Sequence, residues 1–121
     1  MSGSFRDLRV WQQAKELATA TYRITVVFPR HEVYGLSQQM RRAAVSIGSN
    51  IAEGKGRRSD REFRQFLFNA RGSLLELETQ MFIALKLEYI SEKQWNDLQA
   101  QATQVGRSLA GLLNSLSASA A

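Results

Sequence analysis

Apolar residues recur along this chain at three- and four-residue spacing, and no run alternates with the period of two that a half-buried strand needs. Four helical stretches follow from this. The first carries Leu8, Trp11, Ala14, Ala18, Thr21, Thr25 and Phe28, widened by Val10, Leu17 and Ile24. Asp7 stands where an N-cap would. Pro29 ends the stretch, because a residue before proline is pushed out of the α region, so the prediction is a helix over 7–28. The β-branched Ile24-Thr25-Val26-Val27 keeps the same period and is read as the end of that helix. The second stretch, Leu36, Met40, Ala43, Ala44, Ile47 and Ile51, predicts a helix over 34–54 that closes on glycines at Gly54-Lys55-Gly56.

The third stretch opens with Ser59-Asp60-Arg61-Glu62, a capping box in which the Ser hydroxyl accepts from the N3 amide and the Glu reaches back to the cap. Its stripe of Phe63, Phe66, Leu67, Ala70, Leu74, Leu77, Met81, Ala84 and Leu85 predicts one helix over 60–88. Gly72 interrupts it at a cost of about 1 kcal/mol relative to Ala but leaves the period undisturbed. A second box, Ser91-Glu92-Lys93-Gln94, opens the fourth stretch, whose strict alternation of Trp95, Leu98, Ala102, Val105, Leu109, Leu112 and Leu116 predicts a helix over 92–116. Residues 117–121 are expected to form a frayed tail. Four amphipathic helices with short connections make one all-α domain over 1–121, an antiparallel up-down four-helix bundle. A three-helix array with a swapped long helix is the alternative.

The chain of 121 residues is long enough to bury its own core, and 44% hydrophobic with 22% charged residues is a globular balance. The absence of cysteine excludes disulfides, thiolate metal sites and a Cys nucleophile. A single histidine, His31, excludes any site that needs two imidazoles. No metal site, cofactor or catalytic set can be written from what remains, and the chain is expected not to be an enzyme. No window approaches the ~20 apolar residues of a membrane span, and the N-terminus lacks a secretory apolar core, so cytoplasmic residence is the expectation.

Charge changes the picture. The net charge is +5 and the sequence pI about 10.1. Arg41, Arg42, Lys55, Arg57, Arg58, Arg61, Arg64 and Arg71 stand against only Glu53, Asp60 and Glu62 between positions 41 and 71, so this quarter of the chain holds the whole excess. Localised basic charge suits a phosphate backbone, and nucleic acid is the expected ligand; a basic face that serves only solubility is the alternative. No aromatic platform of the RNP kind and no zinc-finger spacing is present, so phosphate contacts rather than sequence reading are expected.

The third helix carries more apolar surface than one bundle seam uses. Phe68, Leu75, Phe82 and Tyr89 fall seven apart, about 80–140° from the main stripe, with Arg64, Arg71 and Lys86 on the same side. Aromatics mixed with arginine are enriched at protein interfaces, so this face is expected to be an oligomer contact; packing under neighbouring helices of the same chain is the alternative. On the second helix Arg42, Ser46, Ser49 and Glu53 form a line with Asn50 beside it. Arg42, Ser46, Asn50 and Glu53 are expected to pair with Ser73 and Glu76 of the third helix in a structural polar seam, with Arg42 neutralising Glu53.

Several segments together resemble a known family: Phe5-Arg6-Asp7-Leu8-Arg9-Val10-Trp11, Phe28-Pro29 followed by Glu32-Val33-Tyr34-Gly35-Leu36, Gln39-Met40-Arg41-Arg42-Ala43-Ala44-Val45-Ser46, Ser49-Asn50-Ile51-Ala52-Glu53-Gly54, and Ala70-Arg71-Gly72-Ser73-Leu74-Leu75-Glu76-Leu77-Glu78. They resemble the bacterial four-helix-bundle proteins encoded in intervening sequences of large-subunit rRNA genes, which are related to the accessory proteins of diversity-generating retroelements. The resemblance implies a cytosolic, non-enzymatic bundle without cofactors. It also implies a cyclic homo-oligomer, with a pentamer as the leading expectation. RNA or DNA and a polymerase-like protein such as a reverse transcriptase are the implied partners.

Overall fold

The computed structural model describes residues 3–120, and among them the helices are α1 (Arg9–Thr25), α2 (Leu36–Lys55), α3 (Asp60–Lys86) and α4 (Glu92–Ala120), with single 3-10 turns at Phe5–Asp7 and Arg30–Glu32. Each helix packs on two neighbours, α1 on α2 and α4, and α3 on α2 and α4. Ser73 meets Ser46 between α2 and α3, Arg64 meets Leu113 between α3 and α4, and Ser108 meets Gln13 between α4 and α1. With Arg41 of α2 meeting Thr25 at the end of α1, these pairings run in opposite chain directions, and all four neighbouring pairs are antiparallel. The start of α1, the α2–α3 turn and the end of α4 therefore share one end of the bundle.

The second capping box forms in full and the first only in its Ser59 half, since the Glu62 side chain does not reach the Ser59 amide. Ser59 Oγ accepts from the Glu62 amide at 3.2 Å, and its hydroxyl donates to Glu62 Oε1 at 3.4 Å. In the fourth helix the exchange is reciprocal: the Gln94 amide donates to Ser91 Oγ and the Ser91 amide to Gln94 Oε1. Gly72 sits exposed within an unbroken α3.

The helix limits differ from expectation at α1. Asp7 belongs to a separate 3-10 turn capped by Ser4, and Leu8 holds the N-cap position without a side-chain bond. The last α1 residue is Thr25, three short of Phe28. The chain turns there so that Phe28 can bury its ring before Pro29. α3 stops at Lys86, because Glu88 adopts the left-handed conformation (φ 63°) and the Tyr89 amide closes back on the Ala84 carbonyl. α4 continues past 116 to Ala120, and Ala121 lies outside the described residues.

Val10, Ala14, Leu17, Met40, Ala44, Ile47, Ile51, Leu67, Leu74, Leu77, Met81, Ala102, Val105 and Leu109 form the continuous core. Two stripes are rotated from the expected line. Val10 and Leu17 are buried where Leu8 and Trp11 are only half-buried, and Leu113 is buried in preference to Leu112.

Candidate nucleic-acid interface

The α2–α3 turn is built by glycine. Gly54 is buried with α3 lying so close that an added Cβ would come within 2.7 Å of Phe66 Cβ. The Gly56 amide donates to the carbonyls of Ala52 and Glu53, and the Arg57 amide to that of Gly54. Ser59 then starts α3. This tight reversal sets Lys55, Arg57, Arg58 and Arg61 around one corner, with Arg6 and Arg9 of the α1 start at the same end of the bundle.

The eight cations of the basic segment do not act as one surface. Arg58 and Arg61 are exposed and enter no ion pair among the described residues. Arg57 lies over the Phe66 ring at 4.7 Å and meets Glu53 at 3.5 Å. Lys55 is half-buried at the helix end. Arg64 is committed to structure: its Nη1 donates to the Leu113 carbonyl near the end of α4 at 2.6 Å, and its guanidinium lies over Phe68. Arg71 is exposed over the same ring at 5.0 Å. Arg41 stands toward the opposite end of α2, where Nε donates to Thr25 Oγ1 at 2.8 Å and the guanidinium covers the Tyr22 ring. Arg42 is exposed beside a cleft of about 360 Å³ that it lines with Gln39, Ala43, Ser46 and Glu76. Helical spacing spreads the segment: residues 41 and 55 are about 21 Å apart along α2. The corner cluster is therefore a local feature, and Arg41 is a packing residue.

The polar seam forms only in its middle. Ser73 Oγ donates to Ser46 Oγ at 3.0 Å, and Asn50 Nδ2 donates to both Ser46 Oγ and the Ser46 carbonyl. Glu53 is not part of it. It is exposed and pairs with Arg57, one turn away, because Arg42 lies about 16 Å back along the helix. Arg42 and Glu76 are also exposed, at the rim of the cleft.

On the outer face of α3, Phe68, Leu75 and Phe82 are 37%, 58% and 47% exposed. Tyr89 does not continue this stripe. It follows the left-handed Glu88, so its ring packs on Phe28 and its hydroxyl donates to Glu32 Oε2 at 2.7 Å. The other oxygen of Glu32 accepts the Leu36 amide at 3.0 Å, holding the start of α2. These two hydrogen bonds, the backbone one first, hold the Glu32 carboxyl below its ordinary range, and the same carboxylate pushes the Tyr89 hydroxyl up. Glu32 and Gly35 were visible as part of a motif, but a partner 57 positions away was not. Tyr22, Val26, Val27, Val33 and Tyr34 around the α1–α2 connection fall on no core stripe, have no role assigned from the sequence, and are exposed. Among the described residues no group of His, Asp and Glu could hold a metal ion, and no helix is long and apolar enough to cross a membrane.

The family model described as 23S rRNA-intervening sequence protein matches residues 6–111. A crystal structure of a protein of unknown function from the S23 ribosomal protein family of Bacteroides thetaiotaomicron is similar with a TM-score of 0.77. The match has 24% sequence identity and covers 86% of this chain and 97% of that one. At that identity the likeness shows the shared fold. No curated protein matches the chain.

Proposed function

Given that this chain belongs to the 23S rRNA-intervening sequence protein family, we propose that it is a non-enzymatic binding protein whose ligand is nucleic acid, structured RNA foremost, held through phosphate contacts. The observation that carries this reading is the corner cluster at the α2–α3 turn. Arg58 and Arg61 are exposed without carboxylate partners among the described residues, and Lys55 and Arg57 flank them on a turn where Gly54 lets α3 approach α2 closely. Unpaired guanidiniums on a rigid support can exchange hydration for phosphate oxygens and release counterions from the polyanion. Binding of this kind ignores base sequence and weakens steeply with salt. Filter binding of a structured RNA across a salt series tests it. The expected result is a linear fall of log K with log salt, with the slope reduced by about 1 for each of Arg58→Ala and Arg61→Ala. Failure to retain RNA at low salt overturns it.

A second reading, self-association, is favoured by the apolar side chains at the α1–α2 connection, where Tyr34 is 86% exposed and Tyr22, Val26, Val27 and Val33 are exposed around it. Several large apolar side chains exposed in one connection are typical of protein contacts. Multi-angle light scattering reads the outcome directly. The ring of five expected from the resemblance would give about five times the protomer mass of 13.6 kDa, and a mass near 13.6 kDa at micromolar concentration ends this reading.

A further inference from the structure

The outward face of α3 joins two features that the sequence presents separately, the basic segment and the aromatic stripe. Taking the Phe68 direction as reference at 100° per residue, Arg61, Arg64, Arg71, Leu75, Phe82 and Lys86 all fall within about 60° of it. The four carboxylates of α3 lie off this face, about 80–120° away: Asp60 and Glu78 to one side, Glu62 and Glu76 to the other. Glu78 is moreover held by Gln99 of α4 at 2.8 Å. The face thus carries four cations along about 38 Å of helix and begins at the corner cluster, with carboxylates only at its edges, where Glu78 lines the groove beside Leu75 and Phe82. Its aromatics each carry a cation over the ring. Arg64 and Arg71 lie 5.3 and 5.0 Å from the centre of Phe68, and Lys86 lies 5.3 Å from that of Phe82. Trp95 of α4 supports Phe82 edge-on at 6.1 Å.

We infer that this face is a track for single-stranded nucleic acid, with bases stacking at Phe82 and on the Arg71 guanidinium that Phe68 supports, and the backbone following Arg61 and Lys86. The inference rests on the reading of the chain as a nucleic-acid binder and names the part of a structured RNA that this face takes, its unpaired segments. A duplex keeps its bases stacked on one another and offers side chains only phosphates and groove edges, so exposed rings in the middle of a cationic track would gain nothing from it. A single strand exposes base faces that stack on aromatic rings and guanidinium planes while its phosphates meet the neighbouring cations. Charge also decides against a second copy meeting this face with its own: a two-fold contact would set the four cations of one protomer against the four of its partner.

The test is fluorescence anisotropy with a labelled oligouridylate and a duplex of equal length, on the wild type, Arg71→Glu and the pair Phe68→Leu/Phe82→Leu. Leucine keeps the apolar area and removes the ring, so a protein contact would survive the change and stacking would not. Both rings are exposed, so the fold is expected to persist, and a thermal melt verifies it. The expected result is tighter binding of the single strand than of the duplex. The double leucine variant should weaken the single strand by about fivefold or more and leave the duplex within about twofold. The single phenylalanine-to-tyrosine variants, Phe68→Tyr and Phe82→Tyr, should retain single-strand binding. Arg71→Glu should weaken both ligands. Unchanged single-strand binding in the leucine variant overturns the track. So does equal loss of strand and duplex in it, or a change in oligomer mass without a change in single-strand binding. If wild-type protein binds duplex but not single strand, the track fails while the phosphate reading stands; if it binds neither at low salt, both fail.

Discussion

Replacing Gly54 with alanine tests whether the α2–α3 contact that shapes the basic corner is as close as described. The added carbon would lie 2.7 Å from Phe66 Cβ, 2.9 Å from Phe63 Cδ1 and 3.3 Å from the Phe63 carbonyl oxygen. Comfortable carbon–carbon contact begins at about 3.5 Å. Phe66 Cβ is fixed to the backbone and cannot swing aside, so the helices must separate by several tenths of an ångström or more. Overpacking of this kind costs about 1–3 kcal/mol, while the better helix propensity of alanine returns up to about 1 kcal/mol. The expected net loss is therefore about 1–2 kcal/mol. Gly72 is the internal control, because a Cβ there meets nothing within 4 Å. Gly72→Ala should gain about 0.5–1 kcal/mol from propensity and reduced unfolded-state entropy. Urea unfolding followed by circular dichroism reads both, with the midpoint moving in opposite directions at constant m. Gly54→Ala as stable as the wild type would refute the close approach, and with it the account of how the turn cations are positioned.

Glu32 contributes a pH dependence of known sign. Its carboxyl is held below the ordinary value of 4.5 by the Leu36 amide and the Tyr89 hydroxyl, so the stabilisation is complete above about pH 4.5 and is lost as pH falls through the lower folded value. Wild-type urea midpoints should drop more steeply below pH 4.5 than those of Glu32→Gln, and parallel curves would contradict the contact. Arg64→Ala should destabilise by about 1–2 kcal/mol through loss of the charged hydrogen bond to the Leu113 carbonyl, whereas Arg58→Ala should leave the thermal midpoint unchanged while weakening RNA. Glu53→Ala should cost no more than about 0.5 kcal/mol, since its partner is an exposed residue one turn away; a loss of several times that would restore it to the seam. Glu88→Gly should raise stability by about 1 kcal/mol, because only glycine occupies φ 63° without strain, and a loss would mean that the side chain makes an unrecognised contact.

Periodicity, the two capping boxes and the glycine punctuation were sufficient for four helices and their antiparallel order, because these signals act within a few residues and the connections are short. The same local logic identified where the excess charge lies and that α3 has a second apolar face. It failed wherever the deciding neighbour is distant in sequence. Glu53 looks like a seam residue from its spacing, but the reach of a side chain is shorter than the three helical turns back to Arg42, and Arg57 takes it instead. Tyr89 fits a seven-residue stripe, but the left-handed residue before it turns the chain, and Phe28 and Glu32 receive its ring and hydroxyl. Arg41 and Arg64 count equally with Arg58 in any tally of charge. Only the packing of α1 on α2 and of α4 on α3 turns the first two into internal ties and leaves the third facing solvent. Helix identity and total charge are properties of short segments. Which polar groups remain free for a ligand depends on which helix lies alongside, and that is decided by how the four apolar faces pack together.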